Sequence, residues 1–454
     1  MNKGDKHSDI IGKGAYQAPP KSIWERIFRG DKVMWVVIIL LLIYSLFVVY
    51  STTAYDLRLD ANQELTKQLL FICIGMAGFF LMQSLHWRRY RKWIKIIYWA
   101  SIMLTICMLM VHTGSNAARS LNILGFEFQP FELLKISVIL LLADQLAKRQ
   151  KNIDKIDIVP PFTKEVWFGD RMKLWEMLLK DTIPVLGPIV LACCVTLLTS
   201  NSTTFIIAIS CLAMLFIGRV KMADIRRIIT LGLCIGIPAL LIFGGRVDTL
   251  EGRFSGYSPI MFSKTAEVAS DGLEYYKRPA HETDQTMYAK MSIASGGITG
   301  KGPGQSTNRY LQEADKDMAY AFLIEEYGLF FGALVILLAY LIMFYRTTVI
   351  FRKCGTAFPG LAVLGVGTAI VLQAFLHMLV SVSLLPVTGQ QLPIVSKGGS
   401  SLVFILAALG LIMGISAQAD EGLLDMPKED KKIADLTKVP SGTPSVFGRG
   451  TKNG

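Results

Sequence analysis

Charged residues are sparse along most of this chain and come in clusters, with long apolar stretches running between them. The first stretch is Val33–Tyr50, eighteen residues without a charge. As a helix it is long enough to cross a bilayer. It exceeds the apolar core of a secretory signal, so it reads as a retained first helix. Further apolar stretches lie at about 68–85, 95–112, 131–147, 182–199, 203–218, 228–244, 318–345, 358–385 and 400–417. Together they predict an all-α polytopic membrane protein of ten transmembrane helices. The fourth stretch carries charges and stands out least by hydropathy.

Ten spans put both tails on one side. With the tails in the cytoplasm, the cytoplasmic segments are the N-tail, 86–95, 148–180, 219–227, 346–353 and the C-tail. They hold 33 of the 47 Lys and Arg residues, as the positive-inside rule requires. The organisation is then a cytoplasmic N-tail (1–32), a ten-helix domain (33–417) and a cytoplasmic C-tail (418–454). One large extracytoplasmic loop, 245–317, lies between helices seven and eight. Long ordered loops tend to be functional.

Composition agrees with this picture. Hydrophobic residues make up 52% and charged residues 18%, with a mean hydropathy of +0.44. That excludes a disordered chain and argues against a soluble multidomain enzyme. The net charge of +12 reports membrane topology, and no nucleic-acid partner is expected. Six of the seven cysteines fall in apolar stretches and Cys354 in a short basic loop. None has metal-ligand spacing, so no metal site and no structural disulfide are expected. No internal repeat is visible, which weakens an inverted-repeat transporter reading.

Ionisable residues at membrane depth are costly and become functional candidates. Glu132 and Lys135 share a helix face three residues apart. They are either a structural ion pair or a charged cavity wall. Asp144 falls near the inner end of that span. Asp317 opens span eight, as a helix cap or as an acid at the outer mouth. Glu325 and Glu326 lie about 12 Å deeper; they face different directions, so at least one points into a polar interior. His377 reads as a hydrogen-bonded core residue. Ser295–Thr307 is glycine-rich, but Lys301 is followed by Gly302 instead of Ser or Thr, so it is no Walker A loop. Its amides can approach a diphosphate. A second Gly/Pro segment, Leu384–Ser401, reads as an outer loop folded into the bundle. No HExxH, GxSxG or Cys-His signature is present.

Three of these segments carry a resemblance. Gln129–Lys135 resembles Gln-Pro-Ser-Glu-Leu-x-Lys. Ser295–Gly302, Gln312–Ala321 and Glu325–Gly328 resemble Ser-Gly-Gly-Leu-x-Gly-Lys-Gly, Pro-Glu-x-His-Thr-Asp-Phe-Ile-Phe-Ala and Glu-Glu-Leu-Gly. Ser383–Gly389 and Leu392–Ser401 resemble Gly-Leu-Leu-Pro-Val-Thr-Gly and Leu-Pro-Phe-x-Ser-Tyr-Gly-Gly-Ser-Ser. These are motifs of the SEDS family (shape, elongation, division, sporulation), the group of FtsW and RodA, and the similarity runs from about 30 to 417. It implies a peptidoglycan glycosyltransferase that polymerises lipid II at the outer face of the bacterial cytoplasmic membrane. The implied partners are a class B penicillin-binding protein, other divisome proteins and membrane lipids. The lead-in Phe28–Lys32 and the extended tails resemble the division type, FtsW, and so a septal location, more than the elongation type, RodA.

By the same resemblance the essential acid falls on Asp317, a general base for the acceptor hydroxyl. The leaving diphosphate needs cations or a metal. Arg119, Lys135, Lys301 and Lys397 are candidates for its binding, a divalent cation is another, and no cofactor is otherwise implied. Glu132 is expected to orient Lys135, Gln285 to support the long loop, and Ser400 to belong to the substrate site. Several positions depart from the pattern. His-Thr reads Asp315-Lys316, Pro reads Gln312, Ser reads Phe131 and Tyr reads Lys397. The turn between spans five and six, Ser200–Thr204, lacks the pattern's Asp. Two other functions stay open: a lipid II flippase or transporter, and a non-catalytic scaffold for a penicillin-binding protein.

Overall fold

A computed structural model of the protein describes residues 28–55, 61–111, 121–123, 126–153, 156–160, 171–243, 282–306 and 315–422. A helix occupies each of the ten predicted stretches. In chain order they are α1 (Lys32–Tyr55), α2 (Ala61–Ser84), α3 (Trp87–Val111), α4 (Pro130–Arg149), α5 (Arg171–Met177), α6 (Ile183–Leu197), α7 (Asn201–Ile217), α8 (Met222–Phe243), α9 (Glu282–Gly296), α10 (Ala319–Tyr327), α11 (Val335–Lys353), α12 (Ala357–Ser381) and α13 (Gly399–Asp420). The α5–α6 and α10–α11 pairs are each joined through a π-helical segment, Leu178–Thr182 and Gly328–Leu334. Among the described residues seven helices are long and apolar enough to cross a membrane: α1, α2, α3, α5–α6, α10–α11, α12 and α13. The chain is a multi-pass membrane protein. Helix α4 carries Glu132, Lys135 and Asp144, and α7 has only 17 residues. One element departs from an all-α expectation. Before α4 a short antiparallel hairpin forms from β1 (Leu121–Ile123) and β2 (Phe126–Phe128), pairing Leu121 with Phe128.

Helices α4, α12 and α13 are the interior of the bundle. Leu134, Val138 and Ile139 of α4 pack with Ala362, Val366 and Ala369 of α12 in one core. Helix α13 lies along α2 at very short range, because glycines line the seam. A β-carbon on Gly410 would sit 2.3 Å from the Phe79 carbonyl oxygen. Close backbone approach over small residues is how membrane helices gain packing energy where lipid offers no hydrophobic drive. Helix α1 begins where Asp31 accepts from the Met34 amide (2.9 Å). That carboxylate also pairs with Arg346 of α11, while Arg29 pairs with Glu421 just beyond α13. The start of the bundle is thereby tied to two other helices.

The segment Gly328–Leu334 breaks the regular ladder of a 35-residue span. Two tyrosines donate to carbonyls there: Tyr44 to Phe331 (2.8 Å) and Tyr320 to Ala333 (3.3 Å). Buried backbone acceptors at a π-segment need such substitutes. The sequence reading has one continuous helix here, and the interruption begins at Gly328, whose φ of +75° only glycine adopts easily.

Candidate active site

The glycine-rich segment and the Glu-Glu-Tyr-Gly segment, read separately in the sequence, dock on one another. The Lys301 amide donates to the Glu325 carbonyl (3.0 Å), Gly302 to Glu326 (2.9 Å), and Leu329 back to Gly297 (3.0 Å). Such contact needs bare backbone on both sides: β-carbons on Gly300 and Gly328 would lie 2.2 Å from the Glu326 and Ile298 carbonyl oxygens. Side chains close the junction. Glu325 Oε1 accepts from Lys301 Nζ (2.8 Å) and Oε2 from Ser306 Oγ (2.7 Å). Glu326 Oε1 accepts from the Gly304 amide (3.0 Å) and from Ser51 Oγ of α1. Both glutamates are 0–1% exposed. Each points into a polar interior, and Lys301 has a carboxylate partner within the protein.

The turn Asp315–Met318 leads into α10. Met318 is fully buried in a small apolar cluster with Ala289 of α9, Phe322 of α10 and Val387. This anchors the residue after Asp317, while Asp317 itself stays partly exposed. Gln285 lies one helical turn before Ala289, on the same side of α9 and half-buried. Two consecutive carbonyls of the turn accept from the 390s loop: Asp315 from the Lys397 amide and Lys316 from Ser396 Oγ, both at 2.8 Å. The Lys397 ammonium stands 3.0 Å from Asp315 and 3.2 Å from Glu64 of α2. Burial disfavours its charge, but the two carboxylates overcome this and hold its pKa above the ordinary lysine value.

The 390s loop is folded into the bundle, as its apolar character suggests. Leu392, Ile394, Val395 and Ser396 are buried. Its carbonyls and side chains are satisfied by helices: Gln373 donates to the Gln391 carbonyl (3.1 Å) and Gln390 to Thr203 of α7 (3.1 Å). His377 Nδ1 meets the Gln390 carbonyl at 2.7 Å, a core hydrogen bond of the kind expected from the sequence. Beside the loop, Lys135 pairs with Glu132 at 2.6 Å and also donates to Gln373. Lys135 and Glu132 are 4% and 2% exposed. Ser400 Oγ accepts from the Gln129 amide at the start of α4 (2.7 Å). At the other end of α4, Asp144 pairs with Arg91 (2.7 Å).

The structure thus brings together Glu325, Glu326 and Lys301 in one group, the turn that carries Asp317 with Lys397 in a second, and Glu132, Lys135 and Ser400 in a third, all joined by the 390s loop and α10. Arg119 lies outside the described residues. Glu64, Gln373 and Asp315 take part without having been singled out in a role. Gln373 had a signal, a lone amide in an apolar span; Glu64 had none. Among the described residues no three His, Cys, Asp or Glu side chains gather as a metal site.

The profile of the FtsW/RodA/SpoVE family, cell cycle proteins, matches residues 31–421. Stage V sporulation protein E of Bacillus subtilis is 26% identical over 397 residues, covering 85% of this chain and 96% of that protein. The probable peptidoglycan glycosyltransferase FtsW of the same organism is 28% identical over 385 residues, covering 83% and 86%. In fold, the chain resembles one chain of a peptidoglycan synthase complex that coordinates polymerization and crosslinking. The TM-score is 0.55 at 20% identity, with 86% of this chain and 98% of the other covered.

Proposed function

This chain belongs to the FtsW/RodA/SpoVE family of cell cycle proteins, and on that premise we propose that it is a peptidoglycan glycosyltransferase polymerising lipid II at the outer face of the cytoplasmic membrane, in septal wall synthesis, with Asp317 as general base. Relatives named as peptidoglycan glycosyltransferases support the activity. The observation that carries the choice of base is the contrast among the acids of the three motifs. Glu132, Glu325 and Glu326 are buried and bonded within the protein. Asp315 is paired with Lys397. Asp317 is partly exposed at the mouth of α10, at the position where the family pattern has its essential acid.

In this reading the acceptor sugar hydroxyl gives its proton to the Asp317 carboxylate as its oxygen attacks the anomeric carbon. The bond from that carbon to the lipid diphosphate breaks, and the diphosphate leaves with the electron pair. In the same reading the chain has ten spans with both tails cytoplasmic, so that Asp317 faces the outer side, where lipid-anchored donor and acceptor meet. A class B penicillin-binding protein is the proposed partner, in keeping with the synthase complex one chain of which has this fold.

The test is glycan polymerisation from labelled lipid II by the purified full chain, with and without its penicillin-binding protein, beside Asp317→Ala. A polymer ladder lost in the variant supports both activity and base. Lipid II crossing liposome membranes with no ladder formed would favour a transporter, and activity in the variant would remove Asp317 from the chemistry.

A further inference from the structure

Two positions at which this chain departs from the family pattern touch one another. The pattern's His two residues before the acid reads Asp315, and its Tyr before Gly-Gly reads Lys397. Their side chains meet at 3.0 Å and their main chains at 2.8 Å. Either charge alone would sit half-buried without this partner, which is costly. The two departures therefore read as one coupled change. Lys397 reaches further, to Glu64 at the start of α2, whose other oxygen is held by Lys67 at 2.7 Å. One ammonium joins the 390s loop, the 315–318 turn and α2.

The main chain makes that junction bear on Asp317. Consecutive carbonyls, Asp315 and Lys316, accept from consecutive residues, Lys397 and Ser396. Asp317 is the next residue. The side-chain pair joins the same two residues as the first of these attachments.

We propose that Lys397 and Asp315 form a positioning pair that sets the placement of Asp317, and that Lys397 acts through the turn instead of binding the substrate's diphosphate. The proposal rests on Asp317 as the base. The Lys397 ammonium already has two carboxylates within 3.2 Å, which an incoming anion would have to displace. The pairing also accounts for a lysine where the pattern has an uncharged ring.

A double-mutant cycle tests it: Asp315→Ala, Lys397→Ala and the double variant, in the full chain in lipid nanodiscs with its penicillin-binding protein and labelled lipid II. Each single variant is expected to lose about 10- to 100-fold in kcat, with KM held within about twofold. The double variant should lose no more than the worse single. Lys397→Arg, able to serve both carboxylates, should keep most of kcat. A rise in KM of about tenfold or more confined to Lys397→Ala would overturn the proposal in favour of a diphosphate contact. Multiplying losses would overturn it by removing the coupling. Thermal unfolding of the same proteins separates this from the base assignment. If the wild type polymerises nothing, the functional reading fails, while non-additive midpoints still support the pair and additive ones overturn it.

Discussion

Gly300 and Glu326 meet main chain to main chain: a β-carbon on Gly300 would lie 2.2 Å from the Glu326 carbonyl oxygen, and Gly300 holds φ at +80°. The contact makes the glycine-rich loop part of the helix that carries both glutamates. Gly296 and Gly300 serve close packing, which is a different use from cradling a phosphate.

Gly300→Ala should therefore cost clearly more than the strain of a left-handed residue alone, about 1–2 kcal/mol. Gly297 is the internal control, with φ +57° and open space where its β-carbon would go; Gly297→Ala should cost only that strain. Thermal unfolding of both variants compares them. Equal shifts would refute the close-packing account.

Asp317→Asn should lower polymerisation by about 10²- to 10⁴-fold, the usual range for a removed general base, with a smaller shift of the unfolding midpoint than a buried glutamate gives. Glu325→Gln should do the reverse in character. It leaves Lys301 without its carboxylate and weakens the Ser306 contact, so stability should fall together with activity. The two variants are compared by lipid II turnover and by unfolding on the same preparations.

Glu132 and Lys135 are a buried pair, and breaking one side leaves the other charge stranded. Lys135→Met alone should destabilise the protein by about 3–5 kcal/mol. The double variant Glu132→Gln with Lys135→Met should recover much of the loss, since neither charge then remains. SDS titration in mixed micelles reads both. A double variant no better than the single would show that the pair does not act as a unit.

The Lys397 ammonium has a folded pKa raised above its ordinary value near 10.5. A raised pKa on a base stabilises the fold fully below the unfolded value and loses that contribution as pH rises through the folded one. The midpoint difference between wild type and Lys397→Met should thus be flat through neutral pH and shrink above about 10.5. A difference that already shrinks between neutrality and about pH 9 would contradict this.

Much of the architecture is legible in the sequence. Runs such as Val33–Tyr50 have no other stable reading than membrane helices, because only helices and closed barrels satisfy every backbone group in lipid. The buried position of the 390s loop is legible for the same reason: Leu392-Pro393-Ile394-Val395 is too apolar for an open surface. The Glu132–Lys135 pair follows from helical spacing. What escapes is whatever depends on tertiary partners. Lys301 and Lys397 read as candidate cations for a diphosphate; the carboxylates they meet, Glu325 and Glu64, lie 24 and 333 residues away in sequence. Ser400 reads as part of the substrate site, and its bond from the amide just before α4 is not visible in the sequence. The β1–β2 hairpin is three residues per strand, below the length at which alternation can be recognised.

The π-helical segment has a consequence of its own. Each residue of an α-helix turns the chain by about 100°, while a π-turn takes up extra residues with little added length. Gly328–Leu334 therefore works as an angular offset between α10 and α11, letting the two halves of one span be aimed independently. The upper half is set so that Glu325 and Glu326 face the glycine-rich loop and Ser51. The lower half is set so that Arg346 faces Asp31. Deleting a single residue from α10 or α11, outside the segment, would turn one half against the other by about 100°. Either the two glutamates or Arg346 would then be carried away from their partners. The protein holds both ends of this span in correct aim because the middle is irregular.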